Sequence, residues 1–69
     1  MRTITADKYR VGGEDAGDYD EVFMIDPDTG LRREVWDVGI DLDEAGNVVI
    51  YSARAEPHHV PRDYKLMVR

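Results

Sequence analysis

Three groups of side chains combine residue types and spacings that could do chemistry. The run Asp41-x-Asp43-x-x-Gly46-x-Val48 follows the first eight positions of an EF-hand loop, which gathers oxygens around Ca²⁺. Here Ala45 fills a ligand position and Ser52 stands where a bidentate Glu is needed. No helical pattern flanks the run, so turn chemistry accounts for it without a metal. Asp26-x-Asp28-x-Gly30 has the same explanation: tight turns select Asp and Gly, and Asp26 can accept hydrogen bonds from its own turn amides. His58-His59, beside Glu56 and Asp63, offers donors for a metal or a pH switch. Successive side chains of an extended chain point to opposite sides, so the pair reads as two titratable groups on a surface loop.

Other chemistries find less support. Ser52 is the single serine, and nothing near it in sequence supplies a base or an oxyanion pocket. The cluster Asp15, Asp18, Asp20 and Glu21 could hold a cation only weakly, without a rigid scaffold. Tyr9, Tyr19, Tyr51, Tyr64 and Trp36 are enough aromatics for base stacking, but they lack the basic surroundings that single-strand binding requires. The expectation is a chain that is not an enzyme and needs no metal or cofactor.

These residues must be positioned by β-structure. Trp36, Val38, Ile40 and Leu42 alternate strictly with Asp37, Gly39, Asp41 and Asp43, the period of a half-buried strand. The loop Glu44-Ala45-Gly46 and the apolar run of residues 48–51 complete a β-hairpin. With a three-residue loop Asp43 pairs with Asn47. Leu42 then faces Val48, Ile40 faces Ile50, Val38 faces Ser52 and Trp36 faces Arg54, all on the core side. On the reverse side Asp41 meets Val49, Gly39 meets Tyr51 and Asp37 meets Ala53. That side would present Val49 and Tyr51 among carboxylates repeating every ~6.6–6.8 Å along the strand.

The rest of the chain extends the pattern. Residues 2–6 and 8–11 are β-prone and read as one interrupted first strand. Residues 12–20 form an acidic, Gly-rich loop, and 21–26 a second strand. Pro27 to Gly30 make a type I turn with Gly30 at a left-handed exit. The third strand spans 31–43 with a kink at Gly39, and the fourth spans 47–55. Pro57 and Pro61 break the ladder over a Pro/His loop at 56–62. Residues 64–69 alternate again, with Tyr64, Leu66 and Val68 on one side. The fold class is therefore all-β: one small domain over 1–69, a five-stranded antiparallel bent sheet or open barrel with a central three-strand meander. Closure would pair the terminal strands.

Charge narrows the function. The chain has 69 residues, no cysteine, and 15 acids against 9 bases for a net charge of −6. From residue 11 to residue 30 there are seven acids and no base. Such a balance disfavours direct binding to nucleic acid and favours a basic protein surface. No stretch resembles a signal peptide or a membrane span, so a cytoplasmic location is the default.

The expectation is an acidic binding protein that docks on a basic surface, such as that of a nucleic-acid-binding protein. In its sharpest form it is an inhibitor that mimics DNA charge, as small phage (viral) anti-defence proteins of the anti-CRISPR type do. The expected contacts are Asp18, Asp20, Glu21, Asp37, Asp41 and Asp43 as charges, with Val49 and Tyr51 as the apolar anchor. The alternative is a structural or assembly subunit, a homodimer for example, that self-associates through the apolar sheet face.

Overall fold

A computed structural model describes residues 2–9, 19–53 and 56–69. It contains β1 (Arg2–Thr5), a single helical turn α1 (Ala6–Tyr9), β2 (Val22–Ile25), β3 (Arg32–Val38), β4 (Val48–Ser52), β5 (His58–Val60) and β6 (Lys65–Val68). All pairings are antiparallel, in one open sheet of order β1-β6-β2-β3-β4-β5. The all-β class, the central β2-β3-β4 meander and the pairing of the first strand with the last are as expected. The strand number is not.

The sixth strand is β5, inside the stretch expected to be a Pro/His loop. Pro57 and Pro61 flank it and lack backbone donors. A proline is tolerated at a sheet edge, and β5 is the outer strand beside β4, where Val48 meets Val60 and Ile50 meets His58. The interrupted first strand also needs correction: Lys8 and Tyr9 belong to α1. The loop of residues 12–18, together with Arg10 and Val11, lies outside the described residues.

The sheet must bend, for a reason of chain length. In the strand order β5 and β6 are four places apart, about 19 Å in a flat sheet at ~4.8 Å per place. Five residue steps separate Val60 from Lys65, at most about 17 Å when fully extended. The link is not extended, since the Tyr64 amide donates to the Pro61 carbonyl at 3.0 Å. The two ends of the sheet therefore curl toward each other around the core. Ile4, Ala6, Val22, Met24, Val35, Val38, Val48, Ile50, Val60, Leu66 and Val68 are buried there, with Tyr9, Tyr19, Leu42 and Tyr64 packed against them.

The β3–β4 hairpin keeps its expected turn and loses its expected register. The Asp43 amide donates to Asn47 O at 3.0 Å, and Gly46 has φ 82°, which only glycine adopts without strain. The next ladder bond joins the Gly39 amide to Val49 O at 2.8 Å. Two steps along β4, from Asn47 to Val49, thus answer four on the other arm, from Asp43 to Gly39. Ile40 and Asp41 are the excess and loop outward, so β3 ends at Val38 rather than at Asp43.

A second irregularity follows at Trp36: Val38 pairs with Ile50 and Asp37 with Tyr51, but Val35 pairs with Ser52. This β-bulge places Trp36 and Asp37 opposite the single residue Tyr51. Of the four residues expected inside, Val38 is buried and Leu42 half-buried, while Trp36 and Ile40 are 66% and 64% exposed. Gly39 lies beside Val49, not Tyr51. Tyr51 faces Asp37, where Ala53 was expected to be.

Candidate functional site

The outward face of β3 and β4 carries an open groove of about 560 Å³, lined by Asp37, Val38, Gly39, Ile40, Asp41, Val49 and Tyr51. The bulge and the outward loop build it. The loop lifts Ile40 into solvent and leaves Gly39, with no side chain, as the β3-side neighbour of the half-buried Val49. The bulge turns Asp37 and Trp36 toward Tyr51, which is 43% exposed. Trp36 borders an adjoining hollow with Arg32, Arg33, Glu34 and Ala53. Large apolar side chains grouped on a surface in this way mark a contact site more often than a stray exposed leucine does.

Among the described residues, neither Asp37 nor Asp41 pairs with a base. The Asp37 carboxylate accepts the Val38 amide at 2.8 Å. Its field reaches the Tyr9 phenol, whose pKa is raised first by burial and then by the charge of Asp37. Both acids are exposed and rim the groove.

The structure thus brings together Asp37, Asp41, Val49 and Tyr51 from the expected contacts. Asp43 is separated from them in role. Its Oδ1 accepts the Ala45 and Asn47 amides at 2.9 and 2.8 Å, and its Oδ2 meets His59 Nδ1 at 2.7 Å. The Asn47 amide first, then His59, hold its carboxyl below the usual range. The expected carboxylate row along one strand does not exist, because residues 39–43 are not strand and Asp43 is a turn cap. Glu21 pairs with Arg69, Asp20 is exposed beside it, and Asp18 lies outside the described residues.

The inward face has a polar end that the sequence did not disclose. Asp26 follows Val22 and Met24 in facing inward and is buried. Its Oδ1 accepts the Asp28 and Thr29 amides at 2.8 and 3.3 Å, and Arg33 Nε donates to its Oδ2 at 2.6 Å. Arg33 chiefly, with the Asp28 amide next, lowers its carboxyl to about 2. Across the curled sheet, His58 Nε2 lies 4.0 Å from Asp26 Oδ2. The adjacent histidines do point to opposite sides, but His58 is buried and only His59 is on the surface. Tyr64 donates its hydroxyl to Ile25 O, and burial first, then Asp26, raises its pKa. The available signal was parity: Val22, Met24 and Asp26 share a face, as do Arg33 and Val35.

Ser52 faces inward as expected and is buried. Its Oγ and His58 Nε2 both lack a hydrogen-bond partner, so they are not bonded to each other. The described residues therefore hold no hydrogen-bonded serine–histidine pair of the kind nucleophilic catalysis uses.

No protein-family model, curated protein or solved structure matches this chain. Among the described residues no helix is long and apolar enough to cross a membrane.

Proposed function

We propose that this chain is a non-enzymatic binding protein that docks on a basic surface of a protein partner through the outward face of β3 and β4. One observation carries the reading: Ile40, Val49 and Tyr51 form an apolar floor whose rim, Asp37 and Asp41, has no basic counterpart among the described residues. Apolar contact supplies affinity, and the rim charges select a cationic partner and speed its approach. Nucleic-acid-binding proteins carry such cationic surfaces. Mimicry of DNA by a regular carboxylate row loses its basis once Asp43 is a turn cap, so the partner is defined by charge and an apolar pocket rather than by phosphate spacing.

Self-association through the same face is disfavoured by symmetry. A two-fold contact sets the same patch against itself and would gather Asp37 and Asp41 of both copies, four carboxylates, in one interface on a chain already at −6.

The test is affinity capture from lysate at low and high salt, with wild type, the double variant D37K/D41K, Y51S, and D20K as a control outside the groove's lining. A captured protein released by salt, lost with D37K/D41K and Y51S and kept with D20K supports the reading. Capture that ignores salt, or survives the double reversal, rejects it.

A further inference from the structure

Asp26, Asp28 and His58 each offer a ligand atom, and all three atoms lie within 4.8 Å of one another. The cluster joins elements that are not neighbours in the sheet: Asp26 and Asp28 come from the β2–β3 turn, and His58 from the edge strand β5. Its least ordinary member is His58, whose side chain is only 9% exposed and whose Nε2 has no hydrogen-bond partner. A buried imidazole nitrogen left unpartnered is costly unless something else meets it. This one lies 4.0 Å from a carboxylate oxygen of Asp26.

The 4.0 Å between His58 Nε2 and Asp26 Oδ2 is too long for a hydrogen bond. It is close to the separation of two donors on one small cation. With metal–nitrogen and metal–oxygen distances of about 2.1 Å, a tetrahedral edge is about 3.4 Å, so this pair needs about half an ångström of closure and Asp28, within 4.8 Å of both, at most about 1.4 Å. Asp28 is exposed and can turn its carboxylate inward, while its backbone is fixed by the bond from its amide to Asp26 Oδ1.

We propose that Asp26, Asp28 and His58 form a three-donor site for a divalent cation of the Zn²⁺ type, which ties the β2–β3 turn to β5. One imidazole with two carboxylates suits Zn²⁺ better than Mg²⁺ or Ca²⁺, which prefer oxygen alone. Three protein donors leave a fourth position for water. A cysteine-free chain of 69 residues has no covalent staple, and a cation bridging two non-adjacent elements would act as one. Arg33 is the competitor, because it holds Asp26 Oδ2 at 2.6 Å. A carboxylate oxygen has a second lone pair, and the partly exposed Arg33 side chain can swing to solvent when the cation takes over. This site is independent of the groove and of its partner.

The experiment is thermal unfolding of metal-stripped protein near neutral pH with increasing Zn²⁺, with Mg²⁺ as the control, repeated on H58Q, D28N, H59Q and R33Q. Wild type is expected to gain about 10–20 °C at a free Zn²⁺ concentration a hundredfold above its Kd, and nothing from Mg²⁺. H58Q and D28N should weaken binding at least tenfold, H59Q should leave it unchanged, and R33Q should tighten it. D28N alters an exposed side chain, so its result stands even if H58Q folds poorly. No shift with Zn²⁺, or a shift that survives D28N, overturns the proposal. So does one abolished by H59Q, which would place binding at the surface His59–Asp43 pair.

Discussion

Asp37 stands opposite Tyr51 on the β3–β4 ladder, although Val35, two residues earlier, stands opposite Ser52, the very next residue of β4. That one-residue mismatch turns Trp36 out of the core and puts it beside the groove. Trp36→Ser is therefore expected to change folding stability by no more than about 0.5 kcal/mol, as surface substitutions do. Ile50→Ala, at a fully buried position, should cost about 2–5 kcal/mol. Urea midpoints measured side by side decide the matter, since a core tryptophan would lose about 3–5 kcal/mol on truncation.

Acid should unfold this protein partly through Asp26. Its folded pKa of about 2 is depressed from an ordinary 3.8, so the ionised form is the one that the fold stabilises. The stability it contributes is complete above the unfolded pKa and is lost as pH falls from about 4 through about 2. Asp43 acts in the same direction. A plot of unfolding free energy against pH should be flatter in this window for Asp26→Asn than for wild type. Parallel plots would mean that Asp26 has no privileged partner.

Both turn glycines are expected to resist substitution. Gly30 and Gly46 sit at φ 73° and 82°, where a β-carbon strains the backbone. Gly30→Ala and Gly46→Ala should each cost about 1 kcal/mol, read from thermal or denaturant unfolding. Nothing lies within 4 Å of a β-carbon at Gly30, so the cost there is conformational and not steric crowding.

The groove acids should be dispensable for folding. Asp41→Asn removes an exposed charge, and the melting temperature should stay at the wild-type value or rise slightly as net charge falls. A clear loss of stability would show that Asp41 has a structural partner and is not held ready for another molecule.

What the sequence by itself determined was local. Alternation placed Val38, Val48 and Ile50 inside and set Leu66 and Val68 on one side, and Asp, Gly and Pro marked the turns at 27–30 and 44–46, because these signals act within a few residues of backbone. Tyr51 and Val49 were legible as outward residues for the same reason. The tertiary structure alone decided the bulge at Trp36, the outward loop at Ile40, the strand between two prolines and the meeting of Asp26 with Arg33 and His58. The last two depend on how far the sheet must curl for a short link to carry the chain from β5 to β6. That demand falls on the whole chain, and a period of two residues does not encode it.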